Sequence, residues 1–134
     1  NKVGSILGEK KSPWTSDVHL PGGDFSLTEK TKIVGGLAKK YDYLDLDYIQ
    51  RLFSLYGTRL KYILKNVSSI ADLGLDFGRD LYQVEVDYLM QEEFALYPVD
   101  VLERRTKLYL FLDYDKIENL DNYMQKKRKV RLKI

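Results

Sequence analysis

From Leu27 onward the apolar residues of this 134-residue chain recur every three or four positions, the period of one helix face. Ile33, Leu37 and Ala38 predict a first helix reaching about Lys40, capped by Ser26 or Thr28, whose side-chain oxygens can take an orphan backbone N–H. Gly35-Gly36 interrupts that stretch, and each glycine costs about 1 kcal/mol against alanine in a helix interior. A closely packed neighbouring helix or a hinge would account for the pair. Asp45 is the expected cap of a second helix, with Leu46, Ile49, Leu52, Phe53 and Tyr56 on one buried face. Gly57 closes it and Thr58 opens a third, which carries Leu60, Ile63 and Leu64 to Asn66. A short helical turn at Ser68–Leu73 and a loop through Gly74 and Gly78 follow.

Leu81–Glu93 is ambiguous by periodicity. Tyr82, Val84, Val86 and Tyr88 alternate as a strand would, whereas Leu81, Glu85 and Leu89 fit a helix. Thirteen unbroken residues exceed a usual strand, so helix is preferred. Pro98 suits a first helical position and Asp100 suits the positive end of a helix, with Val101, Leu102, Leu108 and Phe111 lining one side to about Leu112. Asp115 is expected to cap a last helix bearing Ile117, Leu120, Tyr123 and Met124. The class is therefore all-α, a compact bundle of about six short amphipathic helices. Residues 1–24 hold two of the three prolines and form an irregular lead-in ending in a turn at Pro21-Gly22-Gly23-Asp24. That lead-in is expected to hang from something upstream.

Composition adds limits more than identity. Eleven Tyr, five Phe and 44% hydrophobic residues can fill a core, while 31% charge and a mean hydropathy of −0.39 go with a chain holding no apolar run near the ~18 residues a spanning helix needs. No cationic stretch followed by an apolar one stands at the N-terminus. Zero cysteines fit a reducing compartment, so the cytoplasm is the expected location, with the inner face of the membrane as a peripheral site. The net charge of +2 hides an asymmetry: residues 126–134 (KKRKVRLKI) carry six basic groups, and the rest sixteen against twenty acidic ones, a net −4. The basic tail reads first as a solvated helix end, then as a contact for anionic lipid, and last as a nucleic-acid contact.

Little catalytic chemistry is on offer. His19 is the single histidine and lies in the irregular lead-in, a poor place to hold an imidazole for a triad. The glycine pairs lack the strand–helix setting and the Lys-Ser/Thr of a phosphate-cradling loop. Carboxylate pairs such as Asp45/Asp47, Glu92/Glu93 and Asp113/Asp115 read as caps and solvated charge. The densest constellation is Glu92-Glu93 followed by Asp100-Val101-Leu102-Glu103-Arg104-Arg105-Thr106-Lys107. There Arg104 or Arg105 is expected to clamp Glu93, Asp100 or Glu85, with an anion or phosphate contact as the lesser reading.

The same stretch carries a resemblance. Glu85, Val86, Tyr88, Glu93, Ala95, Asp100, Leu102 and the run Arg104-Arg105-Thr106-Lys107-Leu108 resemble the C-terminal domain of FAD-dependent glycerol-3-phosphate dehydrogenases and the related glycerol-phosphate oxidases. Leu55-Tyr56-Gly57-Thr58-Arg59, Asp72-Leu73-Gly74 with Phe77-Gly78, and Leu20-Pro21-Gly22-Gly23 are similar to further segments of that family in the same order. The likeness covers roughly residues 20–113. Tyr97 stands where the family usually has a capping threonine, and the tail 126–134 matches nothing in it.

The resemblance implies a division of labour. Residues 1–24 would lead in from a flavin domain, 25–125 would be the helical C-terminal domain, and 126–134 the basic tail. FAD, glycerol 3-phosphate and the catalytic groups would belong to the N-terminal half, which moves a hydride from C2 of the substrate to flavin and passes electrons to quinone or O₂. This fragment would hold no cofactor, no metal and no catalytic residue. Its partners would be the N-terminal domain first, then an anionic membrane surface or a second copy. The alternative is a free-standing helical interaction module whose basic tail binds nucleic acid or anionic lipid.

Overall fold

The computed structural model describes residues 16–131 together with Ile6 and Gly8. Most of residues 1–15, and 132–134 of the basic tail, lie outside the described residues. Among those described the chain is all-α, with one isolated antiparallel bridge between Asp76 and Tyr82. The helices are α1 (Lys30–Lys40), α2 (Leu46–Tyr56), α3 (Leu60–Ile63), α4 (Gln83–Glu92) and α5 (Tyr114–Arg131). A π-helical turn, Asp100–Arg105, stands between α4 and α5, and 3₁₀ turns fill most of the connections.

Each start has a local cause. Ser26 and Glu29 form a reciprocal capping box ahead of α1, the Ser26 N–H reaching the Glu29 carboxylate at 2.9 Å. Asp45 Oδ1 accepts the Asp47 N–H at 2.7 Å at the head of α2. Ser69 and Asp72 repeat the capping box before the turn Ile70–Leu73. The last helix departs from expectation: Asp115 lies inside its first turn, and the Asp113 carbonyl takes the Lys116 and Ile117 N–H groups.

The core runs through all the helices. Ile49, Leu52 and Phe53 of α2 meet Leu60 and Ile63 of α3, Val86 and Leu89 of α4, Val101 and Leu102, and Leu120 and Met124 of α5. Edge-to-face ring pairs Tyr48–Tyr82 and Tyr56–Tyr88, each with centroids 5.5 Å apart, join α2 to α4. On α2 the buried face includes Tyr48 in place of Leu46, which is half-exposed: Leu46 heads the helix, where the stripe already turns toward solvent.

Two further expectations are corrected. Gly35 and Gly36 sit inside an unbroken helix with open space where their Cβ atoms would be, so no closely packed neighbour among the described residues explains them. The helix beginning at Pro98 does not continue to Leu112. Thr106 closes the π-turn through its N–H and Oγ1, both bonded to the Val101 carbonyl at 2.9 and 2.8 Å, and Lys107 turns left-handed at φ 62°. That break rotates Phe111 outward, and it is exposed.

Gly22 and Gly57 meet face to face. Pro21 and Gly22 form a turn closed by the Gly23 N–H on the Leu20 carbonyl at 2.8 Å, with Gly22 at φ 87°. The Gly22 carbonyl then accepts the Thr58 N–H at 3.1 Å. A Cβ on Gly57 (φ 55°) would stand 1.9 Å from that oxygen, and one on Gly22 would stand 2.4 Å from the Tyr56 carbonyl oxygen. Two glycines, both at positive φ, let the lead-in lie directly against the end of α2. Asp24 bonded to Thr58, and the Phe25 ring 5.0 Å from Phe53, complete the attachment.

Candidate functional site

The constellation singled out in the sequence is assembled around the connection from α4 to the π-turn. Arg105 reaches back to Glu93, its Nε 3.2 Å from Oε2 and its Nη2 2.9 Å from the backbone carbonyl. Arg104 pairs with Asp100, one helical turn earlier. Asp100 Oδ2 accepts the N–H groups of Leu96 and Tyr97, each at 2.9 Å, the backward half of a capping box whose forward half Tyr97 has no side-chain acceptor to supply. Lys107 Nζ donates to the Glu103 carbonyl at 2.6 Å. Thr106 is buried on Val101. The six residues Glu93, Asp100, Arg104, Arg105, Thr106 and Lys107 thus hold one another and the backbone of the connection.

Burial pushes the Asp100 carboxyl up, and the hydrogen bonds from Leu96, Tyr97 and Arg104 outweigh it, leaving the group below the usual carboxylate range. A depressed folded-state pKa contributes stability above the unfolded value, 3.8 for aspartate, and that contribution is lost as pH falls through the folded pKa. Asp100→Asn is therefore expected to lower stability at pH 7 by about 1–2 kcal/mol. It should also flatten part of the stability loss below about pH 4, as read by urea unfolding across a pH series. A parent-like slope in acid would contradict the assignment.

A second polar assembly gives Glu85 a partner that the sequence reading did not name. Glu85, fully buried on the first turn of α4, is gripped by Arg51 of α2 (Nη1–Oε1 3.0 Å, Nη2–Oε2 2.6 Å) and by the Tyr56 hydroxyl at 2.7 Å. Arg51 Nη2 also donates to the Asp80 carbonyl at 2.6 Å. Glu85 is thus held by Arg51 and not by Arg104 or Arg105. The signal was present: Glu85 occupies the row Leu81, Glu85, Leu89, a carboxylate in an apolar stripe. Arg51, at the flank of the α2 stripe, gave no such mark. Arg59, quoted only within a motif, extends the first assembly, donating from Nε to the Tyr88 hydroxyl at 2.5 Å, which in turn donates to Glu93 Oε1 at 3.4 Å.

One hollow in the surface, of about 420 Å³, has Asp72, Asp87 and Glu92 on its walls, and each of these carboxylates is engaged. Asp72 caps its own turn, Asp87 takes Tyr123 and Lys127, and Glu92 lies 3.6 Å from Arg59. Among the described residues no three His, Asp or Glu side chains converge on a metal-sized point. His19 is exposed in the lead-in. Six glycines among the described residues leave no cradle for a phosphate: Gly22 and Gly57 fill one another, Gly74 faces Gln83, Gly78 faces Leu112, and Gly35-Gly36 lies on an open helix flank.

The basic tail is in part structural. α5 continues to Arg131, and along it Lys127 pairs with Asp87 at 3.1 Å while Arg128 bonds the Leu96 carbonyl and lies 4.6 Å over the Tyr97 ring. No helix among the described residues is long and apolar enough to cross a membrane.

Residues 13–127 match the family described as the C-terminal domain of alpha-glycerophosphate oxidase. The chain is similar to a glycerol-3-phosphate dehydrogenase of Pseudomonas tolaasii, 37% identical over 99% of this chain, and to another of Pseudomonas aeruginosa, 39% identical over 84%. It is 31% identical over 84% of its length to a D-erythritol 1-phosphate dehydrogenase of Brucella abortus. It spans 26%, 22% and 22% of the lengths of these three relatives.

Proposed function

The chain belongs to the family of the alpha-glycerophosphate oxidase C-terminal domain, and from that membership we propose that it is the non-catalytic helical domain of an FAD-dependent glycerol-3-phosphate dehydrogenase or oxidase. The observation that carries the reading is the match over residues 13–127 in a chain about a quarter as long as its relatives. The whole enzyme would oxidise glycerol 3-phosphate to dihydroxyacetone phosphate, delivering electrons to quinone or O₂. Among the described residues, Gly22, Gly57, Gly74 and Gly78 are closed by protein atoms and Gly35-Gly36 lies on an open helix side, which supports placing the flavin elsewhere. FAD and the reacting groups are accordingly assigned to the N-terminal portion, and residues 1–24 to the connection.

Comparable identity to relatives named for glycerol 3-phosphate and for D-erythritol 1-phosphate supports a role other than choosing the polyol. The mutual engagement of Glu93, Asp100, Arg104 and Arg105 supports a clamp over a substrate-phosphate contact. The engagement of Lys127 and Arg128 with the domain leaves less of the tail's charge for anionic lipid or nucleic acid, so a membrane contact ranks second.

The test compares the full-length polypeptide with this domain. The full-length protein is expected to purify with flavin absorbance and to oxidise glycerol 3-phosphate with a quinone analogue or O₂, while the 134-residue chain given FAD shows neither binding nor turnover. Tight FAD binding by the short chain would overturn the division of labour.

A further inference from the structure

The connection between α4 and the π-turn has an unusual combination of properties. Phe94 adopts φ 57°, a left-handed conformation that phenylalanine rarely takes, yet its ring is 85% exposed and gains nothing from the domain's own core. Ala95 behind it is fully buried, with its N–H on the Leu89 carbonyl at 3.0 Å. Leu96 and Tyr97 follow, also exposed. The backbone beneath these side chains is fixed from three sides: Arg105 on the Glu93 carbonyl, Asp100 on the Leu96 and Tyr97 N–H groups, and Arg128 on the Leu96 carbonyl. A strained, tightly held loop therefore presents three large apolar side chains to solvent.

We propose that the ridge Phe94, Leu96 and Tyr97 is the surface that seats this domain on the N-terminal portion of the same polypeptide, with Phe94 as the buried anchor. The proposal rests on the reading of the chain as a C-terminal domain and adds the face it uses. Three observations select that occupant. The relatives are about four times as long as this chain, and the missing part precedes a C-terminal domain. Glu93, next to the anchor, lines a hollow of about 320 Å³ that Leu20–Gly23 also line, where the chain arrives from that missing part. Leu20 is itself 80% exposed, which sets a large apolar side chain in solvent at the point of arrival. Aromatic residues held in one geometry are the side chains on which interfaces most often concentrate their binding energy, since little freedom is lost on docking. The constellation Glu93, Asp100, Arg104 and Arg105 thereby acquires a task, which is to keep the ridge in shape.

The test uses the full-length polypeptide carrying p-benzoylphenylalanine at position 94 or, for comparison, at position 110, where Leu110 is equally exposed in the turn Leu108–Phe111. Irradiation and peptide mapping are expected to join position 94 to residues N-terminal to this chain within one polypeptide, and to leave position 110 unjoined. A link from position 110 and none from 94 overturns the ridge and leaves the docked arrangement standing. Links between two polypeptides from position 94 make a second copy the occupant and overturn the choice of partner. No link from either position, with the domain freed by a trace of protease as fast as an untethered module, overturns the docked arrangement as well. A second variant, Phe94→Asp, suits the left-handed backbone and removes no core contact, so the domain itself stays folded. It is expected to speed proteolytic release of the domain about tenfold, with Phe94→Leu close to the parent. Parent-like release of Phe94→Asp counts against the proposal.

Discussion

Gly57→Ala is expected to destabilise the chain by about 3–5 kcal/mol, among the largest effects of any single substitution. Two costs combine. Alanine at φ 55° must hold a backbone conformation that L side chains rarely adopt. The added methyl also meets the Gly22 carbonyl oxygen at 1.9 Å and its carbon at 2.8 Å, which are main-chain atoms with no rotamer to escape into. Relief requires lifting the Pro21-Gly22 turn away, which gives up the Thr58 N–H bond and the Thr58–Asp24 bond together. Gly22→Ala should behave similarly. Gly23→Ala, whose added methyl would sit 3.4 Å from the nearest atom, should lie within about 1 kcal/mol of the parent. Urea midpoints of the three variants decide the matter, and equal midpoints for Gly57→Ala and Gly23→Ala would refute the close-approach account.

Removing the Glu85 carboxylate should cost about as much. Glu85→Ala leaves Arg51 and the Tyr56 hydroxyl without their acceptor in a largely buried position, and breaking such a pair costs about 3–5 kcal/mol. Arg51→Ala should be equally damaging, since it strands a carboxylate with no exposure at all. Replacing the group as a unit, Arg51→Met with Glu85→Leu and Tyr56→Phe, should recover most of the loss, because a packed apolar cluster of similar volume carries no desolvation penalty. Thermal unfolding of the two single variants and the triple variant reads this directly. A triple variant no better than Glu85→Ala would mean that the ion pair contributes beyond its own desolvation.

The helices were legible because their causes are local. Asp45, Ser26 and the stripe Ile49, Leu52, Phe53, Tyr56 act over a few residues, and the structure uses them as written. What failed depended on distant contacts or on a single extra residue. Phe111 was placed inward on the assumption of an α-helical period, and the five-residue Thr106–Val101 bond together with the left-handed Lys107 rotated it out. Leu46 was placed inward by the stripe's spacing, but it heads the helix and stays half-exposed, while Tyr48 on the flank is buried against the Tyr82 ring and under the Arg51 guanidinium. In the clamp, spacing left Arg104 or Arg105 open against Glu93, Asp100 or Glu85, and only the folded chain pairs Arg105 with Glu93 and Arg104 with Asp100. Arg51–Glu85 spans two helices far apart in sequence, and nothing near either residue announces the other. The resemblance quoted Leu20–Gly23 and Leu55–Arg59 as separate marks. Their order could be read from the chain, but their contact could not.

That contact alters what the lead-in can do. A Pro-Gly-Gly sequence ahead of a domain is ordinarily a swivel that lets two bodies turn independently. Here the Gly22 carbonyl takes the Thr58 N–H with no side chain between Gly22 and Gly57, so this turn is tied to the end of α2. A pull applied at Leu20 would load the Gly22–Thr58 hydrogen bond and the end of α2 before it could swing the turn on its own.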